Sequence, residues 1–422
     1  MRRGIASLLF AALLACACTA PRAPDAAPQA AGLLIAAVSR EEAPAADAAR
    51  AGEAINAFAL DLYRKLPADG NLVFSPSSIA LALAMARCGA EGSTAEEMDA
   101  VLHEVASDDH PTWLNALDRE LSARNGSYND ENDTAHEIAL RIANAAFAHQ
   151  GLALEPDYLE DLASRFGSGV QTVDYAAAPD RAIEAINAWV DDRTQGRISD
   201  LVDQGSVDAN TRLTLVNAIY MKAAWLLPFD PDETRDGPFT RSDGSTLAVP
   251  MMRRDTKLSY ADGIGWQGVD LYYAGLTLAM SVILPADMET FEAQLDQAFI
   301  ADLVGDFEEA GVDLSLPRFG IESKVDLSET LAGMGMPTAF GGAADFSGIT
   351  SEVDLFISAV VHQANIDVDE LGTEAAAATA VSMAMSGPPR HVTMTVDRPF
   401  LFVIRDVPTG TILFMGRVVD PS

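Results

Sequence analysis

The first half of the chain places apolar residues three and four positions apart, which is the spacing of amphipathic helices. This pattern predicts helices over residues 53–66, 78–89, 110–124, 155–167 and 181–196. Short strands are predicted over residues 71–74 and 139–148. A capped helix is expected after Ser93 and Thr94, because Glu96 and Glu97 follow them at the spacing of a helix N-terminus. The polar segment 125–134 is expected to be a loop.

From residue 211 onward, alternating and continuously apolar runs predict a series of strands. They cover residues 211–225, 276–285, 312–323, 352–368, 391–396, 398–406 and 411–419. The last two flank the sequence Asp-Val-Pro-Thr-Gly-Thr, which is typical of a hairpin turn. Helices therefore come first and strands later, without regular βαβ alternation. This order favours one α+β domain spanning residues 51–422.

The N-terminus has the pattern of an export signal. Arg2 and Arg3 precede an apolar run over residues 5–15 that is too short for a stable membrane span. Residues 1–18 are therefore predicted to be a signal peptide. Residues 19–50 are rich in Ala and Pro and are predicted to be a linker.

The Leu-Leu-Ala-Cys sequence at 13–16 resembles a bacterial lipobox, which would place a lipidated Cys16 at the new N-terminus. Ordinary cleavage near Ala17 or Ala20 is the alternative. We expect an exported protein: a periplasmic or outer-membrane lipoprotein, or a secreted protein. No later stretch of about 18 apolar residues occurs, so the body is expected to be soluble.

The charge of the chain limits the partners that it can bind, and its cysteine content limits the disulfide bonds that it can form. The chain has 62 acidic and 28 basic residues and a formal net charge of −34. Such a surface repels nucleic acids and anionic lipids, so we expect no DNA, RNA or other polyanion as a partner, although a lipidated Cys16 would still provide a membrane tether. Cys88 is the only cysteine after residue 18, which excludes a disulfide framework in the body. Its apolar surroundings favour a buried structural thiol.

The motifs of common enzyme active sites are missing from the sequence. There is no G-x-S-x-G elbow, no H-E-x-x-H pair and no glycine-rich phosphate loop. Six His residues and one Cys in the body supply a zinc site poorly. Residues 367–372 half match a calcium loop, but Leu371 occupies a ligand position. We expect no cofactor, and an exported enzyme lacks support.

Four long segments resemble the serpin family and occur in the family's order. They are NLVFSPSSIALALAMARCGA at 71–90, LTLVNAIYMKAAWLLPF at 213–229, SAVVHQANIDVDELGTEAAAATAV at 358–381 and RPFLFVIRDVPTGTILFMGRVVDP at 398–421. The resemblance extends from about residue 51 to residue 422. The chain is identified as a member of this family, and we expect a bacterial exported member.

The resemblance implies a metastable α+β fold of three β-sheets with eight or nine helices and an exposed reactive-centre loop at about 370–390. A target serine protease, or a cysteine protease, attacks this loop as a substrate. The cleaved loop inserts into the main sheet as an extra strand and carries the acylated protease with it, so that the acyl-enzyme is trapped. The resemblance thus implies a protease inhibitor, expected to be monomeric, and not an enzyme.

The alternation of side chains along the loop agrees with insertion as a strand. One face is uncharged and increasingly apolar, as burial requires: Thr373, Ala375, Ala377, Thr379, Val381 and Met383. The other face carries the charge of Glu374. The predicted hinge consists of Glu370, Gly372, Thr373, Glu374, Ala375, Ala376, Ala377, Ala378 and Thr379. Gly372 permits the backbone to swing, and the absence of proline up to Ser386 favours an inhibitory member. An Ala-rich surface helix is the alternative, and Leu371 departs from the polar residue more usual in the family.

Two bonds are candidates for the reactive site. Counting fifteen residues from Gly372 places the cut between Ser386 and Gly387, whereas aligning Met-Ser-Gly-Pro-Pro with inhibitory relatives places it between Met385 and Ser386. We favour Met385–Ser386 because Met fills an apolar pocket better than Ser. Both bonds predict an elastase-, chymotrypsin- or subtilisin-like target. Cleavage after Arg390 would suit a trypsin-like protease but would lengthen the inserting arm by about five residues, roughly 16 Å.

Five further residues match functional regions of the family. Ser75, Ser78, Asn217 and His362 match the shutter, a buried polar cluster under which the main sheet opens. Trp225 matches the breach, where the loop first enters the sheet. Taken alone, His362 would be an ordinary core histidine and Trp225 an ordinary core aromatic residue.

The same resemblance allows a prediction about heparin activation and leaves one main alternative to inhibition. Heparin-activated members carry a basic early helix, whereas residues 110–124 offer only Arg119 and Arg124 among acidic neighbours. We therefore expect no heparin activation. The main alternative to inhibition is a non-inhibitory serpin that acts as a carrier or scaffold.

Overall fold

The computed structural model describes residues 32–103, 110–129, 135–299, 307–373 and 390–422. The helices within these ranges are α1 (Ala45–Tyr63), α2 (Pro76–Arg87), α3 (Gly92–Val101), α4 (His110–Ala123), α5 (Pro156–Phe166), α6 (Pro179–Arg193), α7 (Met288–Glu292) and α8 (Ser328–Met334). Short 3₁₀ turns lie at Pro231–Glu233 and Pro337–Phe340. Within the ranges described, every helix is too short or too polar to cross a membrane.

Strands make up most of the second half, as predicted. They are β1 (Leu33–Leu34), β2 (Leu72–Phe74), β3 (Gly126–Asn129), β4 (Ala135–His149), β5 (Val170–Val173), β6 (Leu213–Ala224), β7 (Arg235–Thr240), β8 (Thr246–Gly263), β9 (Trp266–Tyr272), β10 (Leu278–Pro285), β11 (Glu308–Pro317), β12 (Phe319–Asp326), β13 (Ala359–Val368), β14 (Gly372–Thr373), β15 (His391–Thr395), β16 (Phe400–Asp406) and β17 (Ile412–Val418).

The main sheet has the strand order β1-β5-β4-β6-β14-β13-β12, with β3 paired to β4. Its centre is unusual, because the long strands β6 and β13 also pair directly with each other in parallel. That direct pairing covers Thr214–Ile219 on β6 and Ala359–Ala364 on β13, and we call it the seam. Short β14 lies between the same two strands just beyond the seam.

The remaining strands form a second hydrogen-bonded network in the order β15-β11-β8-β9-β10-β16-β17-β2, with β7 paired to β8. Strand β8 joins two parts of this network, since its first residues pair with β7 and its last with β9. Strands β9, β10, β16, β17 and β2, with the last residues of β8, are the second sheet. Strands β7, β11 and β15, with the earlier residues of β8, are a smaller third one. The predicted α+β fold with three sheets is thereby confirmed.

Two apolar clusters hold these layers together. The larger one contains side chains from α1, α2, the inner face of the main sheet and the second sheet. The smaller one lies between α6 and the outer face of the main sheet, where Ile183 and Ile186 pack in one cluster with the seam residues Val216 and Val361. The seam is therefore covered on its outer face by a helix.

Helix α2 delivers polar side chains to the middle of the main sheet. Ser75 caps the helix, since its Oγ accepts a hydrogen bond from the Ser78 backbone N–H at 3.2 Å, and Pro76 occupies the first helical position. The helix therefore starts two residues before the predicted Ser78. All its residues from Pro76 to Ala86 are buried, and it contacts β4 and β6.

The predicted linker 19–50 extends too far into the chain. Strand β1 pairs with β5 at the edge of the main sheet, and Arg40 forms an ion pair with Asp118 at 2.7 Å and a hydrogen bond to Asn115 at 2.8 Å. Helix α1 already begins at Ala45. Residues from 32 onward thus belong to the folded body, because they add edge pairing and buried Ala side chains to it.

Three local predictions differ from the structure because tertiary contacts compete with local ones. In α3, Thr94 accepts a hydrogen bond from the Asp345 N–H at 2.9 Å instead of capping its own helix. The expected loop 125–134 contains β3, which pairs with β4. The expected strand 352–368 begins only at Ala359, where β6 and β12 supply partners on both sides.

Candidate functional site

A row of three polar side chains crosses the main sheet at the seam. Asn144 of β4 lies opposite Asn217 of β6, and Asn217 lies opposite His362 of β13. All three residues point toward the core, where α2 covers them. Asn217 and His362 are fully buried, so each polar atom there needs a partner.

These side chains form a continuous hydrogen-bond network with α2. The His362 Nδ1–H donates to Asn217 Oδ1, and the Asn217 amide donates to Asn144 Oδ1 and, at 2.5 Å, to Ser78 Oγ. Ser78 Oγ donates to Asn144 Oδ1 at 3.0 Å, and the Ser75 backbone N–H donates to His362 Nε2 at 3.1 Å. The structure thus brings together the four residues predicted as the shutter. That they act as a shutter stays a prediction.

The network requires a neutral histidine. His362 Nε2 accepts a bond from the Ser75 N–H, so it cannot carry a proton at the same time. Burial lowers the pKa of His362 to about 3, because the charged imidazolium would lose its hydration. At neutral pH the ring is therefore held in one tautomer, with its Nδ1–H directed across the seam.

Beyond the seam, the first two hinge residues already lie in the main sheet as β14. Gly372 pairs with Ala224 and Thr373 with Ala223 of β6, both antiparallel, and Thr373 also pairs with Val368 of β13. Thr373 is buried, which agrees with the predicted inward face. Gly372 has φ +153°, and a Cβ there would lie 2.1 Å from the Ala223 carbonyl oxygen, so this close approach requires glycine.

Trp225, which is predicted to belong to the breach, lies directly beside this hinge. Its Nε1–H donates to the Asp369 carbonyl at 2.9 Å, and its backbone N–H donates to the Leu371 carbonyl at 2.9 Å. The indole stacks on Tyr273 with ring centroids 4.5 Å apart, and the Tyr273 and Thr373 hydroxyls are 2.7 Å apart. One aromatic pair therefore contacts the hinge on both its backbone and its side chain.

Glu370 anchors the chain just before β14. Its Oε1 accepts hydrogen bonds from Arg318 Nε at 2.7 Å and from the Thr234 hydroxyl at 2.5 Å. Burial acts to raise the pKa of the Glu370 carboxyl, but these hydrogen bonds outweigh it and the net direction is downward. The carboxylate therefore stays charged and paired at neutral pH.

The remaining predicted site residues lie outside the described ranges. They are Glu374, Ala375, Ala376, Ala377, Ala378 and Thr379 of the hinge, Met385, Ser386 and Gly387 of the reactive bond, and Cys16 of the leader. Among the residues that are described, no group of three His, Cys, Asp or Glu side chains could hold a metal ion. Arg119 and Arg124 both form ion pairs, with Glu42 and with Asp406 respectively.

Several residues of this site were not predicted from the sequence. Asn144 could have been predicted as part of the polar cluster, because it is a polar residue on the inward face of an otherwise apolar alternation. Arg318, Thr234 and Tyr273 could not have been predicted, since each lies at least 52 positions from its partner in the hinge.

The chain matches a known protein family over most of its length. The sequence profile described as Serpin (serine protease inhibitor) matches residues 53–421. This chain belongs to the serpin family. The profile spans the shutter, the breach and both ends of the reactive-centre loop, so the whole site lies within the matched region.

Relatives of this serpin come from an archaeon and from animals. An uncharacterized serpin-like protein of Thermococcus kodakarensis is 39% identical over 87% of this chain and 85% of its own length. The leukocyte elastase inhibitor of Xenopus tropicalis is 35% identical over 86% of this chain and 97% of its own length. The crystal structure of tengpin, a thermophilic serpin in its native state, is 27% identical with a TM-score of 0.79 and covers 92% of this chain and 97% of that one. Family and relatives support protease inhibition in general and a protease as the partner.

Proposed function

We propose that this serpin is a suicide-substrate inhibitor of serine proteases of the elastase, chymotrypsin or subtilisin type. The observation that carries the proposal is β14, which holds Gly372 and Thr373 antiparallel between β6 and β13. A cleaved loop that continues this strand needs only to part the seam. Thr373 is the first inward residue, and the alternation then puts apolar side chains into the core.

The register of β14 defines where each loop residue would lie after cleavage. Continuing from Thr373 opposite Ala223, the inserted strand would pair residues 374–383 with β6 as far as Leu213. Glu374 would come opposite Lys222 on the exposed face, where a charge is tolerated. The inserted strand would thus fill the seam along its whole length.

In this register Thr379 would lie between Asn217 and His362. Insertion moves these two strands from about 4.8 Å apart to about twice that distance, so the bond between the two side chains must break. The Thr379 hydroxyl both donates and accepts, and it would supply the new partner. The polar network therefore offers exchangeable bonds at the point where the sheet must open.

The same register supports a cut near Met385. A cut after Met385 or Ser386 leaves two or three residues beyond the inserted strand, so the trapped protease would be pulled against the end of the sheet. A cut after Arg390 would leave seven residues, roughly 23 Å of slack, and would allow the protease to recover and hydrolyse the ester. Strand β15 also begins at His391, so this bond borders a paired strand.

A denaturing gel after incubation with chymotrypsin, elastase, subtilisin and trypsin tests the proposal. We expect a covalent complex with at least one of the first three and a released fragment that begins at Ser386 or Gly387 by mass spectrometry. Clean cleavage without a complex would favour the carrier alternative. A fragment that begins at His391 in the complex would overturn the assigned bond.

A substitution at the first inward position sharpens the test. Thr373→Arg puts a charge where a buried hydroxyl lies, so we expect cleavage to continue while the complex disappears. Thr240→Arg makes the same change at an exposed position of β7 and should leave the complex intact. Equal complex formation in both variants would argue against strand insertion.

Export is the second part of the proposal, and it rests on the leader sequence alone. A bacterial lipoprotein would carry acyl chains on Cys16, with residues 17–31 between the anchor and the folded body. Detergent phase partition and palmitate labelling in a bacterial host should both be lost in Cys16→Ser. Labelling that persists in this variant would place the lipid elsewhere, and no labelling of the natural chain would favour a secreted protein.

A further inference from the structure

Arg390, the residue directly before β15, is held by two side chains near the end of β8. Its Nη2 donates to Asp262 Oδ2 at 2.9 Å, and its guanidinium carbon lies 5.1 Å from the centre of the Tyr260 ring. Tyr260 is itself buried, and its hydroxyl accepts a hydrogen bond from Gln267 Nε2 at 2.9 Å. The guanidinium is thus placed between a carboxylate and a fixed aromatic face.

The backbone at the same position is held as well. The Arg390 carbonyl accepts a hydrogen bond from the Gly311 N–H at 2.9 Å, and His391 pairs with Gly311 as the first residue of β15. The His391 ring lies 3.1 Å from Asp255 on β8. Both sides of the Arg390–His391 bond are therefore attached to neighbouring strands.

Arg390 is also the only Lys or Arg between Leu371 and His391. It is accordingly the only residue near the reactive-centre loop that a trypsin-like protease would accept in its primary pocket, which carries a carboxylate at its base. Such a protease must extract the guanidinium from its present partners before it can bind it. Asp262 already supplies the carboxylate that the protease would offer.

We propose that Asp262 and Tyr260 form a clamp on Arg390 that makes this serpin a poor substrate of trypsin-like proteases. The clamp keeps the Arg390 side chain away from the primary pocket of a trypsin-like protease. Cleavage of the bond after Arg390 would give an inserting arm that is too long to trap the protease. Asp262 and Tyr260 are positioning residues: they hold Arg390 and do not touch the reactive bond. This inference rests on the proposed inhibitory function, since it explains how wasteful cleavage is avoided.

The size of the effect follows from the exposure of the pair. The Arg390 and Asp262 side chains are 51% and 44% exposed, so water screens their attraction. We therefore expect Asp262→Asn to increase cleavage after Arg390 by about three- to tenfold. Asp262→Glu keeps the charge and should stay within about twofold of the natural chain.

The test is limited digestion of the full chain by trypsin, with mass spectrometry that follows the new N-terminus at His391. Glu309→Gln is the matched control, because it removes an exposed acid that pairs with Lys257 on the same sheet and not with Arg390. Arg390→Gln must abolish the His391 fragment. The proposal holds if only Asp262→Asn speeds the appearance of this fragment.

Equal rates in the natural chain, Asp262→Asn and Glu309→Gln would overturn the clamp. Complex formation with chymotrypsin and elastase is measured on the same samples and reports on the proposed inhibitory function separately. Failure of every variant and of the natural chain to form a complex would count against inhibition, whereas the rates at Arg390 would still decide the clamp.

Discussion

The seam of the main sheet and the centre of the second sheet differ in the direction of strand pairing and in the polarity of their buried side chains. At the seam, β6 and β13 pair in parallel over six positions and carry Asn217 and His362 on their inner faces. In the second sheet, β10, β16 and β17 pair antiparallel and are buried along their whole length. Parallel pairing is slightly less stable per residue than antiparallel pairing.

This contrast indicates which of the two sheets is able to open. Apolar side chains that separate lose their contacts, and water offers no replacement. Hydrogen bonds of Asn217 and His362 can instead be exchanged for bonds to an inserted Thr hydroxyl. We therefore expect the main sheet to open and the second sheet to stay closed.

Cleavage of the reactive-centre loop should stabilise the main sheet and leave the second sheet unchanged. An inserted strand adds ladder hydrogen bonds on both sides, so a gain of several kcal/mol should raise Tm by about 10 °C or more. Differential scanning calorimetry of intact and cleaved protein measures the change. An identical Tm in both forms would remove the basis of the inhibitory mechanism.

His362→Ala should weaken the seam specifically. It leaves the Ser75 N–H and Asn217 Oδ1 without partners, which costs about 2–4 kcal/mol in the free energy of unfolding. Urea unfolding measures that cost, and native gels after mild heating measure polymer formation, which should become faster.

Met415→Ala is the matched control for the second sheet, since Met415 is buried on β17 and its truncation costs a similar free energy. We expect this variant to unfold at lower urea without forming polymers faster at the same distance below its Tm. Equal rates of polymer formation in the two variants would contradict the contrast between the sheets.

Acid should loosen the seam before it affects the second sheet. The pKa of His362 is about 3 in the folded protein, whereas an unfolded His titrates near 6.5. The unfolded state therefore binds more protons between these values, so this contribution to stability is complete above about pH 6.5 and falls as the pH decreases toward 3.

We expect a loss of about 1.4 kcal/mol between pH 7.5 and 5.5 from this group. Urea unfolding of the natural chain and of His362→Gln at both pH values measures it. Between these pH values, His362→Gln should lose about 1.4 kcal/mol less of its free energy of unfolding than the natural chain loses. Parallel losses in the two proteins would show that other groups cause the acid sensitivity.

The smallest effect is expected at the hinge anchor. Glu370→Gln removes the charge that Arg318 and Thr234 share, and because the Arg318 side chain is 44% exposed, the cost should be only about 1 kcal/mol. The number of inhibitor molecules consumed per trapped protease should change measurably. Glu309→Gln in the third sheet should alter neither the free energy of unfolding nor the number of inhibitor molecules consumed. A similar change in this variant would show that the effect is not specific to the hinge.

Long periodic segments were predicted well from the sequence. Helices α4 and α5 follow the apolar spacing within two residues, and the hairpin between β16 and β17 lies at the expected turn. The family resemblance also led to Ser75, Ser78, Asn217 and His362, which the structure brings together at the seam. These features depend on side chains a few positions apart, or on segments long enough to be recognised.

Features that depend on remote partners were not predictable. Strand β3 and the early part of α1 form because β4 and α4 lie beside them, although their own sequences indicate a loop and a linker. The partners of Glu370 and Arg390 could not be inferred either, because Arg318 and Asp262 lie 52 and 128 positions away.

The order of the amino acids alone established the alternation of the hinge, the glycine at its start and the membership of the chain in its family. These are properties of neighbouring residues, and they persist whatever lies across the sheet. The folded structure was needed to show that His362 meets Asn217 across the seam and that Arg390 pairs with Asp262. Strand register sets such pairs, and a shift of one residue would turn these side chains to the opposite face.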